Sequence, residues 1–321
     1  MNFRKGRHCG GPFAFRVMHP GPDPSIQAET VLNIRAIGMG LLFALMWSSA
    51  FTSARIIVAY APPMASLSLR FLLSGIIGVA IALALGQTFK LTPAQWKATI
   101  IFGVCQNALY LGLNFVAMQT VEASLASIIA SSMPLMVAFA GWVIFRERLP
   151  RLGLAGLVLG FLGVGLIMGA RLGAGVDLYG LTLCVLGAVA LTVATLSVRG
   201  ASSGGNVMMI VGLQMFVGAA LLAVASAALE TIEITWNWQL IVAFLYTTLI
   251  PGLAATWVWF TLVNQIGAVK AATFHFLNPF FGVAIAALFL GETLGLTDVV
   301  GVVIIAAGIL AVQLSRQKPV V

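Results

Sequence analysis

Charge is what this sequence has least of. Only 8 % of its 321 residues are Asp, Glu, Lys or Arg, against about a quarter in soluble domains, while 60 % are hydrophobic. That balance excludes an ordinary soluble fold and puts the chain in a membrane. Acidic residues are scarcest, nine in all, and none lies deep in an apolar run. Histidine and cysteine number three each, and His8 and His19 fall in the amino-terminal tail. An intramembrane enzyme needs a nucleophile with its base, or a metal cluster, gathered at one depth. His275 alone cannot supply that, so neither an enzyme nor a metal or other cofactor is expected. Cys9 lies in the tail, while Cys105 and Cys184 lie in apolar runs, so no disulfide is expected and small apolar filler is the plain reading. A nucleotide-binding GxxxxGK[ST] loop is absent as well, which excludes a pump carrying its own ATP site.

Long hydrophobic runs are what the chain has in excess. A transmembrane barrel would read as short alternating segments, whereas these runs are continuous and must be helical in lipid, where no water satisfies the backbone. They fall at 34–58, 64–86, 96–119, 122–145, 151–170, 177–199, 207–229, 238–264, 268–290 and 296–314, which makes ten spans. The net charge of +8 would suggest nucleic acid in a soluble domain, but its distribution argues for a bilayer instead. Fourteen of the 17 basic residues fall on the side of the amino terminus, Arg55 and Arg171 on the other, and Arg70 within a span. The excess of positive charge on inner loops therefore predicts that both termini are cytoplasmic. Residues 1–33, rich in Arg, Gly and Pro, read as a disordered cytoplasmic tail with Met18 as an alternative start, and 315–321 as a short cytoplasmic tail.

The chain repeats itself. Ala123 to Leu149 returns as Ala268 to Leu294, with Pro134 to Glu147 and Pro279 to Glu292 both spanning thirteen positions, an offset of 145 residues. Ser48 likewise pairs with Thr192, Arg55 with Arg199 and Arg70 with Gln214 at an offset of 144. The halves are 34–170 and 176–314, each of five helices. Because five is odd and consecutive helices alternate in direction, the second half enters the membrane upside down. The expected fold is therefore an all-α membrane protein of ten transmembrane helices, built as two inverted five-helix repeats around a central cavity.

Pro134 and Pro279 each lie about 17 Å of helix into their spans, near the bilayer midplane. Each frees a carbonyl four residues earlier, Ala130 and His275, that neighbours, water or ligand must meet, although a kink that only shapes packing is the plainer alternative. Helical spacing gathers Asn107, Tyr110 and Asn114 on the third helix, matched on the eighth by Gly252, Ala255 and Trp259. Ser131 follows Ser124 and Ser127 on the fourth helix, and His275 and Asn278 share a face of the ninth. The first helix offers Trp47, Ser48 and Phe51, and the sixth offers Thr192. Together these predict a substrate cavity of hydroxyls, amides and rings, while any single Ser or Thr can equally be interhelical glue. Arg70 suggests an electrostatic partner for a carboxylate or an outer gate, with snorkelling to headgroups as the alternative. His275 can act as a proton relay or as a neutral histidine bonded to a neighbouring helix. Glu147 and Glu292 read as caps for the helices that follow them. The fifth and tenth helices, with no polar side chain over Leu152 to Ala170 and Val299 to Val312, are expected at the periphery, packed through Gly156, Gly160, Gly163, Gly301 and Gly308.

The ordered set of Trp47 and Ser48, Arg70 in LRFLLSG, Ala123 to Ser127 leading to Pro134, Glu147 in FRERL, Gln214, and Pro279 and Glu292 in LNPFFGVAIAALFLGETL resembles the EamA-domain permeases of the drug/metabolite transporter superfamily. The resemblance covers 34–314 and implies ten helices, alternating access, and export or exchange of small metabolites such as amino acids, amines or drugs, in a bacterial inner membrane. His275 departs from it, since its counterpart in the first half is the apolar Ala130, and the first helix lacks the carboxylate of the four-helix multidrug relatives. The expected activity is secondary transport of a small neutral or zwitterionic metabolite, with a lipid or lipid-linked sugar flippase or a broad drug exporter as alternatives. The expected partners are a small-molecule substrate and the lipid bilayer, without nucleic acid, with proton coupling through His275 as an open reading, in a monomer or weak homodimer.

Overall fold

The computed structural model describes residues 24–197 and 205–316. Arg199, the expected counterpart of Arg55, and the outer parts of both tails lie outside the described residues. Among the described residues ten helices are long and apolar enough to cross a membrane: α1 (Pro24–Val58), α2 (Pro63–Ala84), α3 (Pro93–Ala117), α4 (Ala123–Val143), α5 (Arg151–Gly173), α6 (Leu178–Ser197), α7 (Val207–Leu229), α8 (Trp238–Val263), α9 (Lys270–Leu290) and α10 (Leu296–Ser315). The helix of α1 starts ten residues before its apolar part at Ile34, inside the stretch 1–33 expected to be a disordered tail. Pro24 suits a first helical turn, and neither Gly nor Pro interrupts the residues that follow it, so the helix extends backward from the span.

Four of the helices are irregular, and the irregularities come in pairs. In α3 the hydrogen bonding widens to a π-helix over Gly103–Leu111, and in α8 over Thr248–Ala254, so the two stretches begin 145 residues apart. Pro251 lies inside the second and cannot donate a ladder bond there. In α4 the helix breaks at Ser132 and restarts at Met133 with Pro134 in its first turn; in α9 a 3-10 turn over Phe274–Leu277 precedes a restart at Asn278 with Pro279. Both prolines are buried. Non-helical backbone at membrane depth is tolerated only where protein rather than lipid surrounds it, and burial supplies that condition.

Three pairs of corresponding helices, α2 with α7, α4 with α9 and α5 with α10, lie against one another in opposite directions. At one end of the α2/α7 pair the Glu230 carboxylate, just past α7, accepts from the Met64 and Ala65 amides at 2.8 and 2.9 Å. At the other end the Gln87 side chain, just past α2, accepts from the Met209 amide at 3.0 Å. Each helix thus receives its first-turn cap from the tail of its partner. In the α5/α10 pair glycines bring backbones together: a Cβ on Gly156 would lie 2.7 Å from the Gly308 carbonyl oxygen, and one on Gly308 would lie 2.6 Å from the Gly160 Cα. The expected peripheral pair is thus locked through its glycines.

The α4/α9 pair corrects one expectation. Glu292 does not cap α10, which follows it; its two carboxylate oxygens accept from the Ala123 and Ser124 amides at 2.8 and 3.0 Å, at the start of α4. Gly291, at φ 67°, ends α9 in the left-handed region and turns the chain so that Glu292 points across to α4. The α10 amide at Gly295 is instead met by Asp298, at 3.0 Å. Its equivalent Glu147 follows Arg146, which is also left-handed at φ 54°, and its carboxylate lies 4.0 Å from the Arg316 guanidinium, while the start of α5 at Pro150 has no side-chain cap. Arg171 closes the opposite end, bonding Glu122 at 2.7 Å and Asp298 at 2.9 Å and so tying the end of α5 to the starts of α4 and α10.

The glycine contact yields a direct test. Gly308→Val forces α5 and α10 apart and is expected to lower stability by about 1–3 kcal/mol, read as unfolding in detergent. Gly165→Val, where a Cβ meets nothing within 4 Å, is expected to leave it unchanged.

Candidate functional site

The side chains singled out by the sequence separate into two groups. Asn107 and Asn114 make contacts that pack helices together. The Asn107 amide donates to the Gln214 carbonyl at 2.9 Å, and its Cβ lies over Gly218, only 2.4 Å from where a side chain there would begin. Asn114 donates to the Tyr110 carbonyl at 2.8 Å and stands over Gly187 of α6. Tyr110 is buried beside them, at 1 % exposure. Ser131 and Thr192 return their hydroxyls to their own helices, to Ser127 at 2.7 Å and Ala188 at 2.9 Å. In lipid such groups find partners close by, which is why helical spacing alone overstated their common role.

The second group converges. Trp47 of α1, Trp259 of α8 and His275 of α9 meet with Phe43, a residue the sequence reading did not select. The Phe43 ring lies 4.7 Å from Trp259, 5.4 Å from His275 and 5.8 Å from Trp47, and Trp259 meets His275 edge-on at 5.1 Å. Phe43 precedes Trp47 by one helical turn and Phe51 follows it by one, so the i, i+4, i+8 aromatic spacing was the signal that could have found it. Next to this cluster Ser48 is fully buried and donates to the Asn278 carbonyl at 3.1 Å, which ties α1 to the restart of α9. The Asn278 side-chain oxygen has no hydrogen-bond partner. His275 Nδ1 lies 3.1 Å from the Ala272 carbonyl, an acceptor, so the partner is one turn back on its own helix rather than on a neighbouring one. Phe51 is buried above Ser48. Three aromatic rings and one imidazole, drawn from three helices, pack into one largely buried cluster, with Phe43 2 % and His275 9 % exposed.

Two recesses lie at opposite ends of the bundle. A cleft of about 700 Å³ opens where α1 and α9 finish, lined by Arg55, Tyr60, Gln119, Glu122, Gln239 and Glu292 among others. A smaller recess of about 280 Å³ lies at the other end, lined by Trp142, Glu147, Arg148 and Arg316. Of the site residues singled out from the sequence, Glu292 lines the first and Glu147 the second, and none of the expected substrate-cavity residues lines either recess. Arg55 donates to the Met118 carbonyl at the end of α3.

Arg70 stands apart from both groups. It is 6 % exposed, its Nε has no hydrogen-bond partner, and its guanidinium lies 5.3 Å from the Phe71 ring centroid.

Comparison with known proteins accounts for the repetition. The sequence model of the EamA-like transporter family matches twice, over residues 34–169 and 178–314. The chain belongs to that family. It is 27 % identical to an uncharacterized transporter of Bacillus subtilis, YvbV, over 84 % of this chain and 88 % of that protein. It is also 27 % identical to a probable amino-acid metabolite efflux pump of Salmonella typhimurium, over 84 % of this chain and 92 % of the relative. A crystal structure of a protein 20 % identical superposes with a TM-score of 0.64, covering 87 % of this chain and 96 % of the other, and that likeness speaks for the fold. This member of the EamA-like family is thus a multi-pass membrane protein of transporter type.

Membership in the family sharpens the reading of the amides. Asn107→Ala removes one interhelical hydrogen bond and is expected to destabilise by about 1 kcal/mol, the scale of such bonds in lipid, without changing ligand affinity. Measuring both in one reconstituted preparation decides between glue and site, and an affinity loss would return Asn107 to the binding surface.

Proposed function

We propose that this protein is a secondary carrier that exports or exchanges a small neutral or zwitterionic metabolite of the amino-acid class by alternating access. The observation that carries the reading is the ring cluster of Phe43, Trp47, Trp259 and His275, held between α1, the π-helical α8 and the broken α9. Such a surface suits an apolar side chain or an ammonium group and offers no carboxylate to hold an isolated cation. The relative named as a probable amino-acid metabolite efflux pump supports the same substrate class.

The antiparallel pairing of α2 with α7, α4 with α9 and α5 with α10 supports two inverted repeats, and with them a rocking motion about the midplane. In that motion the Glu292 cap on α4 closes the end holding the larger cleft, and Glu147 belongs to the opposite closure. The irregular stretches around Pro134, Pro251 and Pro279 are the compliant points, because there the fewest ladder bonds have to break. Both termini lie in the cytoplasm on this reading, where the basic loops are, and the membrane is the bacterial inner membrane.

Flux of labelled amino acids and their amines into and out of proteoliposomes tests the proposal. Saturable flux is expected for at least one of them, and Trp47→Ala or Trp259→Ala is expected to reduce it roughly tenfold or more, the effect of losing an aromatic anchor worth about 1.4 kcal/mol or more. Unaltered kinetics in both variants at equal expression removes the ring cluster from the site. The same vesicles with a pH gradient imposed and then collapsed examine coupling, and a rate indifferent to the gradient removes His275 as a proton relay.

A further inference from the structure

The two halves treat one equivalent junction in opposite ways. Where α3 meets α7, Asn107 fills the contact: it bonds the Gln214 carbonyl and rests on Gly218, so the polar group is satisfied. At the equivalent junction of α8 with α2, Gly252 stands in place of Asn107, Arg70 in place of Gln214 and Ser74 in place of Gly218. The filling side chain is therefore missing on α8, and the polar groups now sit on α2. The Arg70 Nη2 lies 3.4 Å and the Ser74 hydroxyl 3.6 Å from where a Gly252 side chain would begin. Neither the Arg70 Nε nor the Ser74 hydroxyl has a hydrogen-bond partner.

A guanidinium this deeply buried without an anion is among the least favourable arrangements a protein can hold in lipid. Among the described residues no salt bridge reaches Arg70. Asp298 is, among the described residues, the one acidic residue inside the apolar segments Ile34–Val58 to Leu296–Ser315, in the first turn of α10, and it is bonded to Arg171. Glu230, at the neighbouring end of α2, is committed to the Met64 and Ala65 amides and the Ser226 hydroxyl. We infer that Arg70 and Ser74, facing the Gly252 notch in the π-helical stretch of α8, form the subsite for the carboxylate group of the transported molecule. Guanidinium and hydroxyl together supply the forked, charge-assisted donors that a carboxylate accepts best. The widened turn over Thr248–Ala254, weakened by Pro251, is where α8 yields to admit it. This inference rests on the carrier reading above and adds to it that the substrate bears a carboxylate and how that group is read.

Ligand binding to the full chain in lipid nanodiscs tests it, using alanine, leucine and phenylalanine each as the free amino acid, its amide and the amine lacking the carboxylate. At least one free amino acid is expected to bind more tightly than its amide and amine. Arg70→Gln is expected to erase that preference with a loss of roughly ten- to hundredfold, and Arg70→Lys, which keeps the charge without the fork, to fall between. Removal of an unpaired charge is also expected to raise the thermal midpoint of ligand-free Arg70→Gln above that of the wild type, whereas a guanidinium that only packs on Phe71 would lower it. Equal binding of acid, amide and amine by the wild type, competition by inorganic phosphate but by no carboxylate, or a lowered midpoint in Arg70→Gln each overturns the subsite. Saturable flux of the amines alone would do so while leaving the carrier reading in place.

Discussion

Hydrocarbon offers a backbone nothing to bond with, and most of this structure is a response to that fact. The ten helices answer it along most of their lengths, but each helix still begins with amides that have no partner within it. Three carbonyl-bearing side chains meet that need from a distance: Glu230 and Gln87 cap α2 and α7 reciprocally, and Glu292 caps α4. In each case the cap comes from the far half of the chain. Stability at the helix starts and registry between the halves therefore depend on the same few hydrogen bonds, so that sliding one half past the other leaves amides bare. A bundle bound in this way has discrete arrangements in preference to a continuum, which is the mechanical requirement for opening at one end at a time.

The same constraint explains what could be read from the sequence and what could not. The spans, their number and the duplication were legible because apolar length and the spacing of Pro, Glu and Gly are local properties. Gly156, Gly160 and Gly308 were legible as contact points for the same reason: a missing side chain in an otherwise aliphatic helix has little other use. The object of Glu292 was not legible. Its nearest helix start in sequence is α10, yet Gly291 turns it toward α4, whose start lies 169 positions away. Asn107 looked like a cavity residue because its helical face was polar, but a face becomes lining or interface only through what stands opposite, and Gly218 stands there. Phe43 was overlooked for the converse reason, as an aromatic residue in an apolar run that gains meaning only from Trp259 and His275 across the helix boundary.

Duplication also makes the differences between halves informative. Both halves keep the π-helical stretch, the broken helix before proline and the left-handed residue before glutamate, since these serve the geometry that the halves share. Where they differ, symmetry of architecture has given way to asymmetry of ligand. The ring cluster draws on Trp259 of α8, while the matching position on α3 is Asn114, turned to packing against Gly187. Gly252 likewise leaves bare what Asn107 covers. Both departures fall on α8, and on the proposed reading this is the helix that meets the substrate, with α3 as its structural counterpart.

The spacing of the two features along α8 completes the argument. Gly252 and Trp259 are seven residues apart, about 10 Å or less of helix. Arg70 meets α8 at the first position, and Phe43 and His275 meet it at the second. A cationic donor set and an aromatic surface at that separation match the two ends of a zwitterion whose carboxylate is read by the guanidinium and whose ammonium or apolar group is read by the rings. Neither end would hold such a molecule tightly alone, and each end depends on a different helix packed against α8. If the proposed subsites hold, displacing α8 at its π-helical stretch would separate the two contacts and release the ligand, so that one element would serve both recognition and release.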